Sequence, residues 1–174
     1  MRKITLVFAL LAGWALNAQI YYYLPPMPGN PGGLNADAEY PVGGGLDASW
    51  TVVLGASQPA AGAWSATQTL PFSFQFNGIT ETSFKVSSTG ILTFDVAATT
   101  VPGSTPATLP NSAIPDKSLM VWGIEGIGAS DQIVKKTFGT APNRQHWIFF
   151  TSYTMKGIAA SWSYWSIVLE ESTN

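Results

Sequence analysis

Residues 70–78 constrain the fold of this chain more than any other stretch. In Leu70-Pro-Phe-Ser-Phe-Gln-Phe-Asn77, Leu70, Phe72, Phe74 and Phe76 share one face, and Pro71, Ser73, Gln75 and Asn77 share the other. Successive side chains of a β-strand point to opposite faces, so a strict period of two predicts a half-buried strand. Pro71 has no backbone donor and places the start of that strand at a sheet edge. Asn77-Gly78 is a turn signal.

The same pattern continues on both sides. Trp50–Leu54 is a short β-branched run. Thr82–Ser87 and Ile91–Val96 flank Ser88-Thr89-Gly90 and predict a hairpin with glycine at a positive φ. In it Phe84 pairs in face with Val86, and Leu92 with Phe94 and Val96. Residues 97–117, rich in Ala, Thr, Pro and Ser, read as a loop. Further strands are expected at Leu119–Ile124, Gln132–Phe138, His146–Thr154 and Ser161–Leu169, separated by Gly-rich turns. The last two are apolar on both faces for part of their length. Such strands are covered on both sides or offer an aromatic surface to a partner. About eight strands at short spacing, with 17 glycines and 12 prolines as punctuation, predict an all-β antiparallel sandwich of jelly-roll-like kind.

The N-terminus sets the expected compartment. Met-Arg-Lys, the apolar run Ile4–Leu16 and the exit Asn17-Ala18-Gln19 have the layout of a secretory signal peptide, with cleavage expected after Ala18. The apolar run is shorter than the ~20 residues of a membrane-spanning helix; an uncleaved anchor and a buried helix are the rival readings. No cysteine is present, which closes the lipoprotein route and excludes disulfides and thiolate metal sites. A small secreted animal domain would often be stapled by disulfides, so their absence favours a bacterial exported protein. Residues 19–48 read as an arm or linker, since Leu24–Gly33 holds four prolines and three glycines in ten residues. Its tyrosines, Tyr21, Tyr22, Tyr23 and Tyr40, give it faces with which to pack along a domain at 49–174.

Without Arg2 and Lys3 the chain carries six basic and ten acidic residues, a formal charge of −4. The only adjacent cations left are Lys135 and Lys136, so nucleic-acid binding is not expected. Charged residues make up 10% of the chain, well below the usual quarter, but aromatics make up 13%. Those rings, each burying ~150–250 Å², supply a core for one domain.

Two motif groups resemble nidogen-like β-sandwich modules. The first is Leu70–Gly78 followed by Phe84-Lys-Val-Ser-Ser-Thr-Gly-Ile-Leu-Thr-Phe94, with its S-S-x-G hairpin. The second is Phe138–Ile148 with Trp165–Asn174. The resemblance covers residues ~70–174 and is similar to modules of large secreted Bacteroidota proteins exported by type IX secretion. It implies extracellular adhesion or scaffolding rather than catalysis. In that family the Leu-x-Glu-x-x-Asn turn leads into another strand, whereas here the chain stops at Asn174. That departure, with no C-terminal sorting domain in view, points to a fragment of a longer polypeptide with further domains; a naturally short protein with a frayed end is the competing reading.

Few residues can carry chemistry. His146 is the only histidine and is expected at a strand-end surface position rather than as a catalytic base. No G-x-S-x-G elbow or phosphate loop occurs. One histidine and no cysteine exclude a zinc site, so no cofactor is expected. Calcium needs only oxygen ligands and stays open at Asp37, Glu39 and Asp47, or at Glu125 with Asp131, although neither set has EF-hand spacing. Glu125 and Glu170 are the carboxylates a glycosidase reading would use. Trp162, Tyr164 and Trp165 place large rings on both faces of one strand. If one set is exposed it suits stacking on a sugar or on a neighbouring domain; the competing reading is a two-sided core. The leading expectation is a non-enzymatic secreted module for adhesion, scaffolding or domain presentation, with a protein or glycan partner. The alternative is a carbohydrate-binding or accessory module of a secreted hydrolase.

Overall fold

The computed structural model of the protein describes residues 22–26, 29–35, 37, 48–105, 108–121, 123–158 and 161–173. The expected signal segment, Glu39, Asp47 and the triple glycine Gly43–Gly45 lie outside them. The described residues contain no α-helix, and no helix long and apolar enough to cross a membrane. Their strands are β1 (Thr51–Leu54), β2 (Gln68–Phe76), β3 (Ile79–Val86), β4 (Ile91–Thr93), β5 (Ser118–Met120), β6 (Ile124–Glu125), β7 (Gln132–Phe138), β8 (Gln145–Met155) and β9 (Ser163–Glu170). One antiparallel sheet runs β2-β3-β4-β5. The other runs β1-β7-β8-β6, with β9 also paired to β8. The fold is an antiparallel β-sandwich.

The alternating run behaves as its period dictates. Leu70 and Phe72 are buried, Phe74 and Phe76 are half-buried against the core, and Ser73 and Gln75 are exposed. The strand lies at the edge of its sheet, as Pro71 requires. Asn77 and Gly78 both have positive φ, 50° and 77°, the backbone of a two-residue hairpin turn whose twist matches its strands. Gly90 has φ 90°, as the second hairpin needs.

Two strand readings differ from the structure. The single strand expected at Leu119–Ile124 divides. β5 pairs with β4, whereas β6 pairs with β8 in the opposite sheet. The crossing occurs where Val121 N donates to Gly90 O and Gly123 adopts φ 81°, a left-handed backbone that turns the chain. The strand expected to reach Val96 ends at Thr93. There the Thr93 hydroxyl accepts from Asp95 N and the Asp95 carboxylate accepts from Ala97 N, offering the backbone a turn in place of the ladder. Val96 is consequently exposed.

Both sheets feed one core. Leu70, Phe72, Phe84, Val86, Leu92 and Phe94 come from one; Ile133, Ile148, Phe150, Tyr153 and Leu169 come from the other. Each such side chain contributes roughly 1.5–3 kcal/mol when fully buried. The outer faces are wrapped as well. Residues of the 94–117 loop cover β3 and β4: Lys85 donates to Ala98 O, Thr93 donates to Asp116 O, and Lys117 pairs with Glu81 at 2.7 Å. Described residues of the arm, Pro31 and Asp37, lie on the outer face of the other sheet. Gln145 Nε2 donates to Pro31 O, and the Asp37 carboxylate accepts from Lys136 Nζ and from Trp50 Nε1, both at 2.6 Å.

Candidate binding cleft

β9 separates the three aromatic candidates by parity. Trp165 faces inward and stacks on Phe150, with centroids 4.1 Å apart and planes within 10°. It belongs to the core margin, and its indole Nε1 is buried without a partner. Tyr164 faces outward, its ring 6.5 Å from that of Phe149. Trp162, just before the strand, is 65% exposed, the most exposed large apolar side chain among the described residues of 48–173. Trp165 thus packs on the core face of β9, whereas Trp162 stays outside it.

Trp162 and Tyr164 form one wall of an open cleft of about 320 Å³. The Ala129-Ser130-Asp131 turn before β7 and Ser152 and Thr154 of β8 form the rest, with Ser161 at the rim. A β-bulge shapes it. The β8–β9 register shifts between Phe150 and Tyr153, and Ser152 sits at φ 57°, unusual for a residue with a Cβ. Its hydroxyl donates to the Tyr164 hydroxyl at 3.0 Å, which orients the ring. Asp131 is buried at the cleft and accepts from Gly128 N at 2.6 Å; burial raises its pKa despite that bond. Ser161 is engaged in the loop, donating to Ile158 O and accepting from Met155 N.

The other candidates are held in structural roles. His146 is not a surface residue. It is 3% exposed, its Nδ1 lies 2.8 Å from Thr137 Oγ1, and its ring meets Phe84 edge-on. Burial, then the charge of Lys135, lowers its pKa to about 4. It occupies the inward register with Ile148 and Phe150, which brings it into the core. Glu125 is buried and pairs with Lys156 at 2.6 Å while accepting from Ser104. Glu170 accepts from Gln145 at 2.7 Å and from Thr173. Asp37 is tied to Lys136 and Trp50, not solvated. No group of three or more histidine, aspartate and glutamate residues suited to a metal ion occurs among the described residues.

Sequence reading found the rings of the cleft and singled out Asp131 as an oxygen ligand with Glu125, but it missed the hydroxyls and did not place Asp131 beside Trp162 and Tyr164. Ser130, Ser152 and Thr154 are ordinary strand and turn residues in sequence. Only the β8–β9 register and the bulge bring them together.

Residues 47–174 match the family described as NIDO related. The match spans most of the chain, so the protein belongs to the NIDO-related family, a β-rich module of extracellular type. No curated protein and no solved structure matches the chain.

Proposed function

We propose that this chain is a non-catalytic β-sandwich module that works outside the cytoplasm in adhesion, scaffolding or presentation of neighbouring domains. The observation that carries the reading is where its reactive groups go. Glu125, Glu170, Glu171 and Asp37 each accept a hydrogen bond or ion pair that ties one segment to another, and His146 is closed inside the core. A general acid or base must reach substrate, and these groups are spent on folding contacts; Asp131 does line the cleft, but no second carboxylate among the described residues lines it with Asp131 to complete an acid–base pair. The signal-peptide layout of residues 1–18 and the NIDO-related match at 47–174 support an extracellular setting. The resemblance to exported Bacteroidota modules adds that further domains accompany this one.

Protease shaving of intact producing cells, with fractionation of their medium, tests the location. The chain is expected in the medium or cleaved from the surface; full protection inside the cytoplasm contradicts the reading. Turnover assays on polysaccharide and peptide panels are expected to yield no product, and sustained product formation would refute the non-catalytic role.

A carbohydrate-binding role is the second reading, favoured by one observation: Trp162 is largely exposed beside the cleft, whereas Phe84, Phe150 and Tyr153 of the same sandwich are fully buried.

A further inference from the structure

We infer that the cleft between the Ser130–Asp131 turn, the Ser152 bulge and Trp162 is a binding site for a neutral saccharide. The inference rests on the module reading above and gives it a ligand class.

Three observations point the same way. The first is the pairing of ring and hydroxyls. Trp162 offers a broad exposed face, and the cleft beside it is lined by Ser130, Ser152, Thr154 and Tyr164. A sugar ring presents an apolar C–H face and a rim of hydroxyls, so it needs an aromatic platform flanked by short polar side chains. Sites for small molecules combine these two features, and about 320 Å³ falls at the lower end of their ~300–1,000 Å³ range.

The second is charge. No lysine, arginine or histidine lines the cleft, and the one charged type present is Asp131. A phosphorylated, sulfated or sialylated ligand would meet a carboxylate and no cation. A neutral polyol meets acceptors and donors of matched strength. The buried Asp131 carboxylate that lines the cleft suits acceptance of a sugar hydroxyl.

The third is preorganisation. Ser152 holds a left-handed backbone inside a strand, a conformation that needs support from its surroundings. Its hydroxyl fixes the Tyr164 hydroxyl, and Asp131 is fixed by Gly128 N. Ser161 anchors the entry to β9 through Ile158 O and Met155 N, immediately before Trp162. Ligand groups fixed before binding lower the ordering cost of association.

A second cavity among the described residues, a gap of about 50 Å³ near Ile91, Ile114 and Val121, holds at most a few waters.

Affinity electrophoresis of the full chain through gels containing β-glucan, xylan, mannan, starch or galactan tests the site, with heparin as an anionic control. At least one neutral polymer is expected to retard the chain, and heparin is not. Trp162→Ala is expected to weaken retardation about tenfold or more, with its melting temperature unchanged because the ring is largely solvated. Trp162→Phe is expected to keep most of the binding, and Thr154→Val with Ser130→Ala to lose several-fold. A glycoprotein bearing neutral high-mannose chains, tested before and after deglycosylation, separates a protein-borne glycan from a free polysaccharide. No retardation by any neutral polymer or glycoprotein overturns the site and leaves the module reading to its own tests. Retardation by a neutral polymer that Trp162→Ala does not alter places the glycan elsewhere and also overturns it.

Discussion

Burial of the His146 imidazole beside Phe84 makes this one side chain a source of acid sensitivity. Its folded pKa, about 4, lies below the ordinary value of 6.5. The unfolded chain therefore takes up a proton that the folded chain refuses. Stability tied to His146 is complete above about pH 6.5 and is lost progressively as pH falls towards 4. The loss is on the order of 3 kcal/mol at the acid end. Urea unfolding of the wild type and of His146→Gln between pH 7 and 4 is expected to show a clearly shallower acid loss in the variant. Identical slopes would contradict the buried, neutral imidazole. Glu171, whose pKa the Arg144 guanidinium lowers, adds an acid loss common to both proteins. Parity could have signalled this burial: 146, 148 and 150 share a face, and Ile148 and Phe150 are core-type residues. Placing the residue at a strand end hid that, because β8 already begins at Gln145.

Gly90 shows the same scale from the backbone side. It combines φ 90° with a position where a Cβ would collide with Val121 O and the Ile124 side chain. Around it Ser87, Ser88 and Thr89 are buried, and Ser88 bonds the backbone of Ala63 and Gly126. The S-S-x-G motif is thus a buried hub joining both sheets rather than a surface turn. Gly90→Ala combines a positive-φ penalty with a backbone clash and is expected to destabilise by about 2 kcal/mol or more. A thermal melt within a degree of wild type would contradict that account.

Among the elements, those fixed by local pattern were the legible ones. β2, β3, β7, the start of β4 and the turns at Asn77-Gly78 and Gly90 follow from period two and glycine placement. The split of β5 from β6 was not legible, since Leu119–Ile124 is uniformly apolar and only tertiary pairing decides which sheet each half joins. Nor was the cleft, which depends on a bulge that Ser152 does not announce. The arm was legible in part. Its prolines and glycines argue against a long helix or a central strand, yet the Asp37 latch to Lys136 and Trp50 depends on residues far apart in sequence. Asp37→Ala leaves a half-buried ammonium without its carboxylate and removes the acceptor of the Trp50 indole. It is expected to lower stability by about 1–3 kcal/mol and to speed protease cleavage between residues 30 and 48. Unchanged proteolysis would contradict the latch.

On the scale of the whole molecule, the sandwich is closed by groups that bridge its sheets. Arg144, at the start of β8, donates to Pro71 O of β2 at 2.8 Å, lies 5.3 Å over the Phe72 ring and pairs bidentately with Glu171. Lys135 reaches Gln68 across the same gap. Arg144→Ala removes the bond to Pro71 O and the pair with Glu171 together, so it is expected to lower the melting temperature by several degrees (about 4–8 °C). A melt equal to wild type would show that the sheets hold without this clamp. The Trp162 end of the β8–β9 hairpin keeps a large ring exposed beside the cleft, and the account of function converges there.

Saturation-transfer NMR of the full chain, mixed with the oligosaccharide of a neutral polymer that binds it, tests that account most directly, because ligand contact and product formation are read in one tube. The account predicts transfer to sugar protons, its abolition by Trp162→Ala, and no new reducing-end signals over prolonged incubation. Absence of transfer, transfer indifferent to Trp162→Ala, or steady growth of reducing ends would contradict it.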